Sequence, residues 1–173
     1  MYTAIIAMGA NLPGPAGTPA ATLAAAFHRL SALGVVTARS SLYSTAPVGL
    51  ADQPRFLNAV AVLETEIEPL EFLHHLLCIE VEFGRDRSSG IVNGPRSLDL
   101  DLLLYADRIL DLPDLQLPHP RLAERAFVLV PLTEVAPDYI EPRSGKSISA
   151  LLADLRSRAP QEPEAVVRVA PGW

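Results

Sequence analysis

The sequence predicts an α+β fold, a ferredoxin-like βαββαβ plait with helices packed on one face of a mainly antiparallel sheet. Three observations lead to this prediction. Apolar runs of strand length occur at residues 2–8, 56–64 and 98–105, next to turn residues or polar loops. Residues 19–33 and 69–83 instead repeat apolar side chains at helical spacing. With a β-rich stretch after the first helix, the order becomes strand, helix, strand, strand, helix, strand.

The two helices have clear start signals. Thr18 is an N-cap residue followed by a first-turn proline, and Pro69 opens the second helix in the same way. The apolar stripes of the two helices comprise Leu23, Ala26, Phe27, Leu30 and Leu33 in the first, and Phe72, Leu76, Ile79 and Phe83 in the second. Gly34 and Gly84 follow the stripes, as is common at helix ends. Both segments are therefore predicted to be amphipathic helices.

The remaining elements are predicted from shorter signals. Residues 35–43 contain the β-branched and small side chains of a strand, and the mostly apolar third strand is expected to be central. A short helix is expected to open at residues 118–121, and another over residues 147–156. We expect one domain over residues 1–158, followed by a loosely ordered, proline-rich tail at residues 159–173.

Composition excludes several classes of protein. The chain has 173 residues and no uninterrupted apolar stretch of about eighteen residues, so no membrane span is expected. Its net charge of −6 argues against a nucleic-acid surface, which needs a concentrated basic face. Cys78 is the only cysteine, which excludes disulfides within the chain. Because the N-terminus lacks the pattern of a secretory signal, a cytoplasmic location is expected.

Asp99 and Asp101 form the strongest candidate site. Strand alternation puts both acids on one face with Leu103 and Tyr105, and puts four leucines on the other: Leu98, Leu100, Leu102 and Leu104. Two carboxylates that point the same way suit a hard divalent cation such as Mg²⁺. The alternative is an amphipathic strand with a solvated polar face. Arg96, at a turn just before the pair, favours a phosphate bound between a cation and a metal.

Other motifs narrow the chemistry. The GKS sequence at residues 145–147 ends like a phosphate-binding P-loop, but that motif requires glycine where Ile140 stands. His119 lies between two prolines, and a rigid loop of this kind is a candidate for contact with a ligand. Three arginines converge on the loop of residues 85–96: Arg85, Arg87 and Arg96. Carboxylates and guanidiniums without an arranged nucleophile indicate phosphoryl transfer.

Several segments then match a known family in order and spacing. They are IAMGANL at residues 6–12, YSTAPVG at 43–49, DQPRFLNA at 52–59, the IE and GR pairs at 79–80 and 84–85, GPR with DLD at 94–101, LPHP at 117–120 and RAF at 125–127. Through these segments, residues 3–142 resemble the 6-hydroxymethyl-7,8-dihydropterin pyrophosphokinase family, also named 2-amino-4-hydroxy-6-hydroxymethyldihydropteridine diphosphokinase.

The resemblance implies an enzyme of folate biosynthesis. Members transfer pyrophosphate from ATP to the hydroxymethyl group of 6-hydroxymethyl-7,8-dihydropterin and release AMP and the pterin diphosphate. By resemblance, Asp99 and Asp101 hold two Mg²⁺ ions, and the attack is on the β-phosphorus of ATP. The partners would be these two small molecules, with no nucleic acid or membrane, and the protein would act as a monomer.

The resemblance also implies roles for individual residues. Phe56 and Phe127 would hold the flat pterin between aromatic faces, and a buried amide would pair with its donor and acceptor edge. The pterin residues implied are Thr45, Ala46, Val48, Phe56, Asn58 and Phe127. The catalytic residues implied are Arg85, Arg96, Asp99 and Asp101. The ATP-binding residues implied are Glu80, Arg85, Arg87, Arg96, Leu102, His119 and Arg125.

Five positions depart from the pattern usual in this family. Val92 and Asn93 stand where a basic and an aromatic residue are common, and Ser88 replaces a basic residue. Asp114 occupies the place of an arginine near the nucleotide, and Pro120 replaces a tyrosine. These departures predict altered loop closure or ATP affinity with the metal and pterin positions intact. The alternative hypothesis is a non-catalytic ligand-binding module of the same fold, such as a regulatory domain.

Overall fold

An antiparallel sheet forms the centre of the molecule. The computed structural model describes residues 1–88, 94–170 and 172–173. Their helices and strands are β1 (Tyr2–Ala10), α1 (Pro19–Leu30), β2 (Val35–Arg39), β3 (Leu42–Thr45), β4 (Phe56–Thr65), α2 (Pro69–Glu82), β5 (Asp99–Tyr105), β6 (Leu110–Asp111), β7 (Gln116–Leu117), a 3₁₀ turn (Leu122–Glu124), α3 (Ala126–Val135), α4 (Ile148–Arg158), α5 (Gln161–Glu164) and β8 (Val167–Ala170). The strand order is β5-β1-β4-β3-β8, with β2 also paired to β4, and β6 and β7 form a separate hairpin.

The predicted α+β fold and its βαββαβ order are confirmed, with one strand divided. Residues 35–43 form β2 and β3, which both pair with β4. Arg39 lies opposite Ala61 and Tyr43 opposite Asn58, so four steps along the chain match three along β4. The extra residue makes a bulge, where the Ser40 hydroxyl accepts a hydrogen bond from the Val60 N–H at 2.9 Å.

Helices cover both faces of the sheet, so the expectation that they lie on one face is wrong. On one face, α1 and α2 pack through residues such as Leu23, Leu30 and Phe72. On the other face, α3 and α4 pack through Leu129 and Leu152. The apolar sequence of β4 agrees with this, because a strand that is buried on both faces has no polar side to show.

A bulge in β5 alters the predicted faces of that strand. Leu102 pairs with Ile6 and Leu104 with Ile5, so Leu103 is an extra residue. The alternation holds up to this residue, and Leu103 lies on the side of the acid pair as predicted. Beyond it the faces are exchanged: Leu104 also packs with α3 and α4, and Tyr105 packs with α1 and α2. The predicted faces of Leu104 and Tyr105 are therefore wrong.

The C-terminal residues differ from the predicted loose tail. They form α5 and then β8, which pairs antiparallel with β3. Two prolines are compatible with α5, since their fixed φ suits the start of a helix, and Pro163 is buried there. The Trp173 ring lies 5.6 Å from the Phe27 ring, and its indole N–H donates to the Ser40 carbonyl at 2.9 Å. Tertiary contacts thus order a segment whose composition indicates flexibility.

A polar network fastens β8 to β3 and α3. The Glu134 carboxylate accepts hydrogen bonds from the Ser41 hydroxyl at 2.7 Å, the Ser41 N–H at 3.0 Å and the Tyr43 hydroxyl at 2.8 Å. Arg168 donates to the Ser41 hydroxyl at 2.7 Å and forms an ion pair with Glu134 at 3.4 Å. Burial opposes the charged form, but the hydrogen bonds from Ser41 and Tyr43 outweigh it and lower the pKa of Glu134. Burial raises the pKa of the Tyr43 hydroxyl, and its hydrogen bond to the Glu134 carboxylate raises it further, to about 12.

We predict that Glu134→Gln lowers the free energy of unfolding at pH 7 by about 2 kcal/mol, because it weakens charge-assisted hydrogen bonds. The folded-state pKa of Glu134 lies below its ordinary value of 4.5, so this contribution is complete above that pH and is lost as the pH falls through the folded-state pKa. Urea unfolding between pH 7 and pH 3.5 measures it. As the pH falls, the free energy of unfolding should decrease less in Glu134→Gln than in wild type. The same decrease in both proteins would contradict the prediction. Asp154→Asn, at an exposed carboxylate, is the control.

Candidate active site

A cavity of about 500 Å³ opens where the sheet meets the start of α3. The end of β1 and the starts of β4 and β5 form its floor. All six predicted pterin residues line it: Thr45, Ala46, Val48, Phe56, Asn58 and Phe127. Four of the predicted charged residues line it as well: Arg96, Asp99, Asp101 and Arg125. The fold thus brings residues from four separate parts of the sequence into one space.

Asp99 and Asp101 share a face of β5, as alternation predicts, and arginines surround them. Arg85 and Arg96 contact the two oxygens of Asp99, at 2.9 Å and 3.1 Å. Arg125 contacts Asp101 at 2.9 Å. The side chains of Asp99 and Asp101 are 24% and 32% exposed to solvent, so solvent still reaches both acids. Three guanidiniums around two carboxylates leave one excess positive charge, which favours a polyanionic ligand.

The acid pair fits a bound Mg²⁺. Among the residues described, no group of three or more His, Cys, Asp or Glu side chains is placed to hold a metal ion. Magnesium in nucleotide enzymes usually takes one or two protein carboxylates and completes its shell with water and substrate phosphates. Two same-facing carboxylates at the floor of an open cavity provide that partial ligand set.

Asn58 is held in place at the inner end of the cavity. Its amide donates a hydrogen bond to the Thr45 hydroxyl at 2.6 Å, and both residues are buried. Gly9 on β1 lies opposite Asn58, and a Cβ at Gly9 would lie 2.9 Å from the Asn58 side-chain oxygen. Glycine is therefore required where the strand passes the amide. The Gly-Ala-Asn sequence at the end of the first strand is the signal that could have pointed to this role.

Two aromatic rings line the cavity, and each lies under an arginine. The Arg96 guanidinium is 5.3 Å from the centre of the Phe56 ring, and that of Arg125 is 5.6 Å from the centre of the Phe127 ring. Such cation–π contacts fix both partners. Because Arg125 immediately precedes α3 and Phe127 lies in its first turn, one helix start positions both residues.

Asn11 is a positioning residue that the sequence interpretation did not identify. It is buried, and its side-chain oxygen accepts from the Arg96 N–H at 2.9 Å. Its amide donates to the Gln53 side chain at 3.0 Å and to the Pro54 carbonyl at 2.9 Å. One side chain thus joins the end of β1 to the turn that carries Arg96 and to the segment before β4.

A second depression of about 780 Å³ lies beside the first and is lined by three of the remaining predicted nucleotide residues. Arg87, Leu102 and His119 line it, and so does Asp114. Among the described residues, Asp101 is the one that lines both spaces. The two spaces therefore meet at the acid pair.

His119 is a neutral hydrogen-bond donor in this arrangement. Burial lowers the pKa of His119, and the Asp101 carboxylate opposes this shift more weakly. The lowered pKa disfavours the charged ring at neutral pH. Its Nδ1 accepts from the Arg121 N–H at 3.1 Å, so the proton of the neutral ring is on Nε2. The backbone N–H of His119 donates a hydrogen bond to the Leu103 carbonyl at 2.8 Å, and this bond connects the loop to β5.

Glu80 is a buried acid behind β5, the strand that carries Asp99 and Asp101. Its side chain is 1% exposed, and one oxygen accepts from the Leu100 N–H at 2.8 Å. The other oxygen pairs with Arg87. Burial raises the pKa of Glu80, and the hydrogen bonds from Leu100 and Arg87 oppose that shift. Glu80 therefore links α2 to the backbone between Asp99 and Asp101, and neither described cavity lining includes Glu80 or Arg85.

Two of the five departures lie outside the described residues. Val92 and Asn93 belong to residues 89–93, for which no structure is described. Asp114 and Pro120 line the second depression, where the acid adds negative charge near a predicted nucleotide site. Ser88 donates hydrogen bonds to Asp86 next to Arg87, so it organises the loop locally and provides no positive charge.

We predict that Glu80→Ala lowers the free energy of unfolding by about 3 kcal/mol, because it leaves the buried Leu100 N–H without an acceptor and creates a cavity. Glu80→Gln should cost about 1 kcal/mol, since an amide oxygen can still accept that bond. Chemical denaturation measures both. Glu82→Ala, at an exposed glutamate two residues away, is the control and should change little. Equal losses in the two Glu80 variants would contradict a role for this hydrogen bond.

Comparison with known proteins identifies a family. The model of the 7,8-dihydro-6-hydroxymethylpterin-pyrophosphokinase family matches residues 5–137. The chain is 47% identical over 148 residues to the 2-amino-4-hydroxy-6-hydroxymethyldihydropteridine pyrophosphokinase of Pseudomonas aeruginosa, covering 86% of this chain and 88% of that protein. It is 40% identical over 173 residues to the protein of the same name from Synechocystis sp., covering 99% of this chain and 82% of that protein.

Solved structures support the fold. The HPPK-DHPS of Plasmodium falciparum, crystallised with pteroate, aligns with a TM-score of 0.71 at 15% identity, over 98% of this chain. The chain spans about half of that longer protein, 47% of its length. In the described part of the chain, no helix has the length and apolar composition needed to cross a bilayer.

Proposed function

Because the chain belongs to the 7,8-dihydro-6-hydroxymethylpterin pyrophosphokinase family, it is a pyrophosphokinase of folate biosynthesis, and we propose that its reaction takes place around Asp101. The enzyme transfers pyrophosphate from ATP to the hydroxymethyl group of the dihydropterin, giving AMP and the pterin diphosphate. The single observation that carries the proposed location is the meeting of two spaces at the acid pair. A transfer between two substrates requires such a meeting point.

The pterin is proposed to bind in the first cavity. Phe56 and Phe127 offer apolar ring faces for a planar heterocycle, and Asn58 and Thr45 offer fixed polar groups at the inner end. Ala46 and Val48, in the loop after β3, line the same wall. Because Asn58 is already fixed by Thr45 and accommodated by Gly9, binding need not order this amide.

ATP is proposed to bind with its base and sugar in the second depression. Leu102 offers an apolar surface, and His119 offers a neutral Nε2–H donor. Arg87 lines the same depression, while Glu80 acts from behind β5 by holding Arg87 and the Leu100 N–H. The triphosphate would then extend towards Asp101.

The proposed metal dependence rests on Asp99 and Asp101, which would hold Mg²⁺, with two ions expected from the family resemblance. Bound Mg²⁺ supplies neutralisation of phosphate charge and orientation of the transferred group. The same-facing carboxylates and their partial exposure support this assignment.

Three arginines are proposed to change partners when ATP binds. Arg85, Arg96 and Arg125 neutralise the acid pair in this structure. Once the carboxylates bind a cation, these guanidiniums can donate to phosphate oxygens while staying in place. Charge that develops on the phosphates during transfer would then meet donors that are already oriented.

The protein is proposed to act as a monomer, as the family resemblance implies. A single pterin pyrophosphokinase domain and a cytoplasmic location stay predictions from the sequence, while the pairing of β8 with β3 places residues beyond the predicted boundary at 158 in the same sheet. The alternative of a non-catalytic module gains no support from relatives that are named as pyrophosphokinases.

We predict that Asp99→Asn and Asp101→Asn each lower turnover by about a thousandfold or more, because each removes a negative metal ligand. AMP formation with ATP, Mg²⁺ and the dihydropterin alcohol measures the effect. Circular dichroism should show an intact fold. Asp111→Asn is the matched control, because its carboxylate is exposed and pairs with Arg143. If both variants keep Mg²⁺-dependent turnover near the wild-type rate, the metal assignment is wrong.

We also predict that Phe127→Ala raises the KM for the pterin about 30-fold, since it removes about 2 kcal/mol of apolar contact, and leaves the KM for ATP within about twofold. Phe83→Ala removes a half-buried ring at the end of α2 and serves as the control. Steady-state kinetics with each substrate varied in turn gives both constants. A similar rise in both KM values for Phe127→Ala would contradict the separation of the two sites.

A further inference from the structure

The residues around α5 contribute one wall of the first cavity. Glu162, Ala165 and Val166 line it together with the loop after β3 and the start of α3. These residues lie beyond the part of the chain, 5–137, that the family model matches. A segment outside the matched region therefore borders the proposed pterin site.

Strand pairing explains why this wall lies beside the pterin loop. β8 runs antiparallel to β3, and Val167 pairs with Ser44. Ala165 and Val166 directly precede β8, and both line the cavity together with Thr45 and Ala46 at the end of β3. Thr45 and Ala46 are themselves proposed pterin contacts, so the wall follows from the pairing of the two strands.

The wall is fixed at both of its ends. After it, Arg168 bonds to Ser41 and Glu134, and Trp173 bonds to the Ser40 carbonyl. The Arg39 guanidinium lies 4.8 Å from the centre of the Trp173 ring and so holds this end of the chain. Before the wall, α5 follows directly from α4.

The apolar part of the wall is continuous with the core. Val166 packs against the same buried cluster of α3 and α4 as Phe127 does. The Val166 N–H donates to the Pro163 carbonyl at 3.3 Å, and the Ala165 N–H donates to the Gln161 carbonyl at 3.1 Å. Backbone bonds therefore set the position of the Ala165 methyl group, which is exposed to the cavity.

We propose that α5 and the turn into β8 form a fixed wall of the pterin site, and that Ala165 is a specificity-determining residue that sets the width of that site. The inference rests on the proposed binding of the pterin in this cavity. Alanine leaves the space beside Ala46 open, and a larger side chain there would occupy it. Because the wall is pinned through Arg168 and Trp173, it cannot simply move away.

A graded series at Ala165 tests the inference in the full-length enzyme. Ala165→Val, Ala165→Leu and Ala165→Trp should raise the KM for the pterin progressively, to about tenfold or more for tryptophan, with the KM for ATP within about twofold. Glu164→Trp is the matched control. It places the same ring on the adjacent, exposed residue, which is not among those that line the cavity, and it should leave both constants near wild type.

The outcomes separate the two proposals. If the Ala165 variants keep the wild-type KM for the pterin while Phe127→Ala raises it, the proposed role of the wall is wrong and the proposed pterin site stands. If Phe127→Ala and the Ala165 series both leave pterin affinity unchanged, the pterin binds elsewhere and both proposals fail. Direct binding of the pterin, measured by calorimetry with a non-hydrolysable ATP analogue, gives this answer without turnover. If the tryptophan variant does not fold, the valine and leucine variants decide.

Discussion

Two carboxylates on the same face of one strand repel each other, and the structure is arranged to neutralise them. Asp99 and Asp101 receive guanidiniums from three places: the loop after α2, the turn before β5 and the start of α3. Each such contact in a partly exposed site contributes modestly to stability. Their larger effect is geometric, because they require three distant segments to meet at the start of β5. The floor of the cavity follows from that requirement.

The sheet provides the rigidity that this meeting needs. β1 and β4 are covered on both faces, so the residues at their cavity ends are attached to a buried framework. Gly9 and Asn58 lie opposite each other there, at a separation that only glycine permits. Asn11 and Glu80 then connect the framework to the Arg96 turn and to β5. Both contacts join protein groups to each other, so the framework itself positions the Arg96 turn and the start of β5.

Much of the fold and of the site could be predicted from the sequence, because periodicity and motifs report local geometry. The element order and the shared face of Asp99 and Asp101 are confirmed. The bulge at Leu103 could not be predicted, since a run of leucines looks the same in either register. β8 was missed because a four-residue edge strand has little signal of its own and depends on distant partners such as Ser41 and Glu134. The helix over residues 147–156 was predicted, but its position on the second face was not, because an apolar strand gives no information about which helix packs on it.

The position of Asp101 connects the two proposed binding sites. This residue lines both spaces and holds Arg125, whose guanidinium lies over the Phe127 ring in the pterin cavity. On the proposed assignment of the two sites, a cation or phosphate that engages Asp101 or Arg125 would alter the contact between Arg125 and the Phe127 ring. In the proposed arrangement, binding of ATP and binding of pterin would be coupled through two side chains in contact, with no movement of the sheet required. Since coupling free energies are reciprocal, any effect of ATP on the proposed pterin site through this contact would be matched by an equal effect of the pterin on ATP affinity, and the Asp101–Arg125 ion pair, which does not need the ring, would keep that effect small.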